Sequence, residues 1–160
     1  MILVEYKDGV QQVILNGENV TSLLRTEETG KMASKTSKYA AVRTKLVALQ
    51  RGLAKKTDVI MDGRDIGTTV LPDAFAKIYL TASSDARAKR RYDELKEKGE
   101  NRSFDAIKED IEKRDYEDMH RAISPLKQAD DAVLVDTSDM NIEQVVAVLS
   151  KIIDEKKAGR

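Results

Sequence analysis

Three short apolar runs constrain the fold of this chain more than any other sequence feature. They span 58–62, 77–81 and 132–136. Each run is nearly continuous and bounded by polar residues, which is typical of strands buried on both faces of a parallel sheet. Helical periodicity separates the second run from the third and follows the third, over 84–98, 103–121 and 141–157. Strands that alternate with helices predict an α/β fold.

The first 56 residues have a different pattern. Strand-like runs over 2–6 and 10–15 are followed by Asp8-Gly9 and Asn16-Gly17, and both dipeptides are strong tight-turn signals. They predict a small antiparallel ribbon. Residues 20–55 have helical periodicity. We therefore place a boundary near residue 56, between a unit of ribbon and helices and an α/β unit.

The charge balance excludes one broad class of function. Lysine plus arginine and aspartate plus glutamate number 28 each, so the net charge is zero. A protein that binds nucleic acid polymers of any sequence usually has a basic excess. With no cysteine and one histidine, the chain is expected to form no metal site. No apolar run approaches the roughly 20 residues of a membrane span, and no signal peptide is recognisable, so we expect no membrane partner and a cytoplasmic location.

The segment 62–68 reads Asp-Gly-Arg-Asp-Ile-Gly-Thr and directly follows the first apolar run. In α/β proteins, ligands bind at the carboxyl ends of parallel strands. The two glycines permit tight backbone turns between an acid, a base and a second acid. The alternative is a polar loop whose arginine and aspartates pair with one another. The residues alone leave these two interpretations about equal.

The helix predicted from Ser103 has a stripe that changes character. Phe104, Ile107 and Ile111 follow 3-4 spacing and form an apolar face. The next members of the same stripe are Arg114, Asp118 and Arg121. Ion pairs within the helix would explain the charges but not why they continue a buried face. A ligand cleft at the end of the core would explain both.

A third candidate is the basic cluster at 87–91. Arg87 and Arg91 lie one helical turn apart, and two guanidinium groups on one face can bind a polyphosphate or stack on a base. The alternative, a solvated basic face, is the more common role of such clusters.

Taken together and in this order, these segments resemble the bacterial cytidylate kinases over about residues 10–149. The matching segments are 15–21, 49–51, 61–68, 79–83 with 90–92, 114–121, 125–126 and 130–136. Their order and spacing make the resemblance specific, although any one of them would be weak evidence.

The resemblance implies an α/β fold containing part of a P-loop-kinase-like parallel sheet, with three strands flanked by helices. Residues 1–56 would form the unit that binds the nucleoside monophosphate, from an antiparallel ribbon and helices. Residues 57–160 would form a partial α/β core with a helical lid at about 84–121. The implied activity is transfer of the terminal phosphoryl group of ATP, with Mg²⁺, to CMP or dCMP.

The site residues that the resemblance implies fall into four groups. The cytosine base corresponds to Ser34, Arg43 and Asp65, the sugar to Arg114 and Asp118, the transferred phosphoryl group to Arg64 and Arg121, and ATP beneath the lid to Arg87 and Arg91. The chemistry is consistent, because a carboxylate accepts from the exocyclic amine of cytosine. Phosphoryl transfer needs alignment and positive charge more than a protein nucleophile.

The sequence departs from the family pattern at the P-loop. Gly30-Lys31 is followed by Met32, and no G-x-x-x-x-G-K-[ST] occurs in the 160 residues. That loop holds the ATP phosphates, so negligible catalysis is expected from this chain alone. The family's P-loop strand lies between strands resembling 58–62 and 77–81. Without it we expect these two strands to pair, another chain to complete the sheet, or the chain to fold poorly.

Three function classes therefore stay open. The first is a cytidylate kinase piece, either a truncated product or one half of a split enzyme. The second is a non-catalytic module that binds CMP or a regulatory partner. The third, a structural or nucleic-acid-binding protein using 87–91, is disfavoured by the zero net charge and the lack of an aromatic platform.

Overall fold

The computed structural model describes residues 2–24 and 26–159, apart from the side chain of Glu27. The chain forms two compact units, one that ends at Leu46 and one that begins at Val47.

The first unit begins with an antiparallel sheet. Its strands are β1 (Ile2–Lys7), β2 (Val10–Leu15) and the short β3 (Glu18–Asn19), with β2 in the centre. At the first turn, Asp8 and Gly9 have φ of 54° and 75°, and Asn16 and Gly17 at the second have 51° and 92°. Two successive residues with positive φ match the twist of two-residue hairpins. The predicted ribbon is confirmed.

The predicted helical region 20–55 is divided into separate segments. A single 3₁₀ turn (Thr21–Leu23) precedes α1 (Glu27–Thr36) and α2 (Ala40–Ala54). Thr26 caps α1, because its side chain accepts a hydrogen bond from the backbone N–H of Thr29 at 3.2 Å. Helix α2 continues from the first unit into the second.

The second unit contains a two-stranded parallel sheet. Strands β4 (Ile78–Thr81) and β5 (Val133–Asp136) pair in register from Ile78 opposite Val133 to Thr81 opposite Asp136. These are the strands predicted at 77–81 and 132–136. Leu80 and Leu134 are 54% and 57% exposed on opposite faces, so the expected burial on both faces is wrong for this sheet.

The remaining predicted strand, at 58–62, is not formed. The segment has no regular secondary structure, and Ile60 is 99% exposed. Of the three alternatives, the pairing of 58–62 with β4 is therefore wrong, and the predicted three-stranded parallel sheet has two strands among the described residues. A strand depends on backbone partners in a neighbouring strand, and β4 is paired with β5 alone in the described part of the chain. An apolar run cannot supply that partner itself.

Three helices complete the second unit: α3 (Ser84–Glu97), α4 (Phe104–His120) and α5 (Ile142–Ala158). All three begin at a polar cap, formed by Ser83, Ser103 and Asn141, whose side chains accept from a backbone N–H of the first turn. Asn141 and Gln144 form the predicted capping box. No helix in the described ranges is both long enough and apolar enough to cross a membrane.

The tightest packing lies between α3 and α4. Ala88 and Leu95 of α3 and Ile107 of α4 are at most 2% exposed. The partly buried side chains against them are Tyr92, Phe104 and Ile111. The apolar stripe predicted on α4 is therefore the face that packs on α3. This small core fixes the orientation of α4, whose C-terminal turns carry the candidate site.

The core assignment can be tested at Leu95. Leu95→Ala removes a side chain that is 2% exposed, and we expect the free energy of unfolding to fall by about 2–5 kcal/mol in urea denaturation. Leu134→Ala is the matched control, because Leu134 is 57% exposed and its loss should cost only about 0.5 kcal/mol. Equal losses in the two variants would contradict a core between α3 and α4.

Candidate functional site

Asp118 is a buried carboxylate near the end of α4, with 7% of the residue exposed. It continues the stripe that begins with Phe104 and includes Ile107, which is the face of α4 that packs on α3. Its backbone carbonyl accepts a hydrogen bond from the N–H of Leu126 at 2.8 Å. This bond holds the chain after α4 close to the helix end.

Three arginines surround the Asp118 carboxylate. Arg64 Nε donates to Asp118 Oδ2 at 2.9 Å. Arg114 Nε lies 3.9 Å from the same oxygen, and Arg121 Nη1 lies 3.8 Å from Oδ1. A buried carboxylate is expensive to desolvate unless cations accompany it. The four residues together carry three positive charges and one negative, and this excess favours an anionic ligand.

Arg121 is held by the backbone that follows the helix. Its side chain is 12% exposed, and its Nε donates to the carbonyl oxygen of Ser124 at 2.6 Å. Ser124 has φ of 50°, in the left-handed region that costs a non-glycine residue about 1–2 kcal/mol. Arg121 Nη2 is buried and has no hydrogen-bond partner in the described part of the chain. An acceptor oxygen from a ligand would satisfy that donor.

The loop after 58–62 contains a π-helical turn. Asp65 is 4% exposed and immediately precedes the turn, Ile66–Val70. The carbonyl of Asp65 accepts from the N–H groups of Thr69 at 2.8 Å and Val70 at 3.2 Å. Single π-helical turns occur often at functional sites. A Cβ added at Gly63 would lie 3.0 Å from Ile66 Cγ1, so a larger residue there would disturb the turn.

The structure brings four of the predicted residues together: Arg64, Arg114, Asp118 and Arg121. Ser34 lies on α1 and Arg43 on α2, both half-buried in the first unit, whereas Asp65 belongs to the second. The assignment of Ser34, Arg43 and Asp65 to one base-binding site stays a prediction.

Arg87 and Arg91 are both paired with carboxylates. Arg87 Nη1 and Nη2 donate to Asp115 at 3.0 and 2.6 Å, and its Nε donates to the carbonyl of Ala82 at 3.0 Å. This bidentate pair joins α3 to α4. Arg91 Nη1 donates to Glu94 at 2.7 Å. Binding of a polyphosphate by these arginines would have to compete with both carboxylates.

Glu94 is paired with two cations of its own helix, Lys98 and Arg91. Hydrogen bonds from Lys98 and then Arg91 lower the pKa of Glu94 to about 2, and burial opposes them weakly. Its side chain is 46% exposed, so the pair adds little to stability. Glu94 therefore stays ionised, and remains a competitor for Arg91, at all physiological pH values.

Two residues at the site went unpredicted. Asp115 pairs with Arg87 across 28 positions, and Arg51 of α2 donates to the carbonyls of Thr69 and Val70. Both lie inside segments that carry the family resemblance, but nothing in their spacing indicated a partner.

The family model described as Cytidylate kinase matches residues 2–155. The chain belongs to the cytidylate kinase family. The resemblance noted from the sequence is thereby confirmed.

Cytidylate kinases of several bacteria are similar to this family member. That of Lactobacillus johnsonii is 52% identical over 151 residues, covering 94% of this chain and 66% of the relative. Those of Thermosipho melanesiensis and Bacillus licheniformis are 47% and 45% identical, covering 89% and 93% of this chain. The chain spans 65–66% of the length of these three relatives.

The role of Asp118 in holding the arginine cluster can be tested by stability. Asp118→Asn keeps the shape but leaves Arg121 buried without its anion, and we expect a loss of about 1–3 kcal/mol in the free energy of unfolding. Part of the cost is avoided because the Arg64 side chain is 40% exposed and can be hydrated.

Asp110→Asn is the control for this measurement. Asp110 pairs with Arg102 at 2.6 Å, but its side chain is 64% exposed, so the loss should be about 0.5 kcal/mol or less. If Asp118→Asn cost no more than this control in urea denaturation, the cluster would not be a buried ion network.

Proposed function

We propose that this chain forms the acceptor side of a cytidylate kinase, binding CMP or dCMP so that its phosphate can accept the terminal phosphoryl group of ATP. The main observation in support of this proposal is the group of three arginines around one buried carboxylate, Asp118. Family membership supports the reaction class. The excess of positive charge at this group suits a nucleotide phosphate.

The geometry of the cluster supports a role for each of its members. Asp118 can accept a hydrogen bond from a sugar hydroxyl through Oδ1, because Oδ2 already accepts from Arg64. Arg114 is mostly exposed and would bind on the solvent side of the sugar. Arg121 would donate its buried Nη2 to a phosphate oxygen, with Arg64 as a second cation. Fixed donors of this kind stabilise charge without reorganising during the reaction.

Base recognition is assigned to Ser34, Arg43 and Asp65. A carboxylate at Asp65 can accept from the exocyclic amine of cytosine, whereas uracil presents a carbonyl oxygen at the same position. A site built to accept a hydrogen bond rejects a base that offers only another acceptor. This difference would separate CMP from UMP.

The donor nucleotide in this proposal is ATP. ATP would lie beneath the lid at about 84–121, near Arg87 and Arg91. The described residues contain no group of three or more His, Cys, Asp or Glu placed to hold a metal ion. Mg²⁺ that is bound with ATP is held mostly by the phosphates and by water, with one or two protein ligands, so it needs no such group. A second chain that carries a P-loop and completes the sheet beside β4 would hold the ATP phosphates together with Mg²⁺. We place the reaction in the cytoplasm.

Nucleotide binding is the first test. In titration calorimetry of the full chain, CMP and dCMP should bind with measurable heat, and UMP and AMP should bind at least about tenfold more weakly. Asp118→Asn should weaken CMP by roughly tenfold, since it removes the acceptor for the sugar hydroxyl. Asp110→Asn is the matched control and should bind CMP like the unaltered chain. Equal heats for CMP and AMP, or none for either, would overturn the proposal.

Activity is a separate test. In a coupled ADP-release assay with ATP, Mg²⁺ and CMP, the 160-residue chain should show no turnover above background, because it has no P-loop motif. Addition of a separately produced P-loop segment from a cytidylate kinase should restore CMP-dependent ADP release. Turnover by the chain alone would show that it holds the ATP phosphates in another way. No gain with the added segment would count against the split-enzyme form of the proposal.

A further inference from the structure

The π-helical turn Ile66–Val70 is held at its end by a side chain from another element. Arg51, in the last turn of α2, donates from Nε to the carbonyl of Val70 at 2.9 Å and from Nη2 to the carbonyl of Thr69 at 2.6 Å. The planar guanidinium presents these two donors in a fixed geometry, so both carbonyls are held together.

These two carbonyls need a donor from outside the turn. The last carbonyls of a helical segment have no N–H partners in a following turn. Pro72 cannot continue the helix, and the N–H of Ala74 donates instead to Leu71 at 3.1 Å. Val70 is 1% exposed and its bond from Arg51 is partly buried, so water is a poor substitute for that donor, whereas the bond to the Thr69 carbonyl is exposed. Arg51 therefore performs the task that a helix C-cap usually performs.

The opposite end of the same turn carries the candidate nucleotide residues. Arg64 and Asp65 immediately precede the turn, and the Asp65 carbonyl accepts its first hydrogen bonds. Arg64 is fixed by Asp118 at 2.9 Å. The segment is thus held at both ends, by Arg51 at one and by Asp118 at the other. The buried Asp65 lies between these two attachments.

The π-helical hydrogen bonds make this attachment consequential. Leu71 N–H donates to Ile66 at 2.7 Å and Val70 N–H to Asp65 at 3.2 Å, both across five residues. Such turns are rare and less favourable than α-helical ones, so they persist where the surroundings impose them. Thr69 N–H donates to the same Asp65 carbonyl across four residues at 2.8 Å, so an α-helical register lies close by, and loss of the Arg51 donors would favour it.

We propose that Arg51 is a positioning residue, which holds the π-helical register of residues 66–70 and thereby orients the Asp65 carboxylate for cytosine. This inference rests on the proposed function, since it deepens the base-recognition step. Arg51 itself need not touch the nucleotide. Its effect should appear in the discrimination between bases more than in overall stability.

The test replaces Arg51 by methionine, which keeps an unbranched stem without donors, and by lysine, which keeps one cationic donor group. We expect Arg51→Met to lower the affinity for CMP by roughly tenfold, because a small displacement of a group that recognises the ligand costs this much or more. The ratio of CMP to UMP affinity should fall in parallel, and Arg51→Lys should recover part of both. Arg102→Met, which removes an arginine paired with Asp110, is the matched control and should change neither.

Base discrimination separates positioning from a purely structural role. If Arg51 were purely structural, Arg51→Met and Arg51→Lys would lower the thermal midpoint of unfolding, but the folded variants would keep the unaltered ratio of CMP to UMP affinity. That result would overturn the proposal, as would an Arg51→Met variant that binds CMP normally.

A second readout does not depend on nucleotide binding. Backbone hydrogen exchange at Val70 and Leu71 should accelerate roughly tenfold in Arg51→Met and remain unchanged in Arg102→Met. If the unaltered chain binds no CMP, the proposed function fails, and the role of Arg51 in orienting Asp65 for cytosine fails with it. The exchange data then still decide whether Arg51 holds the turn. Unchanged exchange in Arg51→Met would overturn the positioning role even if CMP binds.

Discussion

The structure around the candidate site depends on one buried charge. Moving a carboxylate out of water costs several kcal/mol even after the surroundings relax, and Asp118 is 7% exposed. Arg64 offsets part of that cost from the loop after 58–62, and Arg121 offsets another part from the end of α4. Two separate stretches of backbone, the C-terminal end of α4 and the loop after 58–62, are therefore linked through a single anion.

The same cluster is not optimised for stability in the absence of a ligand. It has more positive than negative charge, a buried donor on Arg121 with no partner in the described chain, and a left-handed serine beside it. Each of these features costs free energy. A phosphate would satisfy the donor and neutralise the excess charge. These features support the proposal that the cluster binds a nucleotide phosphate.

Local features were predictable from the sequence and partner-dependent ones were not. The two hairpin turns, the Asn141 cap and the buried stripe of α4 follow from neighbours within a few residues, and all are found. The prediction of a strand at 58–62 was wrong because a strand needs hydrogen-bond partners from the backbone of a neighbouring strand. Arg87 with Asp115 and Arg51 with the π-helical turn were missed for the same reason, since pairs 28 and 19 residues apart leave no periodic signal.

The small parallel sheet has a consequence for how this chain behaves in solution. Two strands alone are marginal, and each face of this sheet keeps a leucine more than half exposed. Open strand edges recruit other strands without regard to their origin. Copies of the chain would therefore compete with any true partner for the same hydrogen bonds. The relative concentrations of the copies and the partner would decide which of the two pairs with the sheet. The oligomeric state of the chain would therefore change with the composition of the solution.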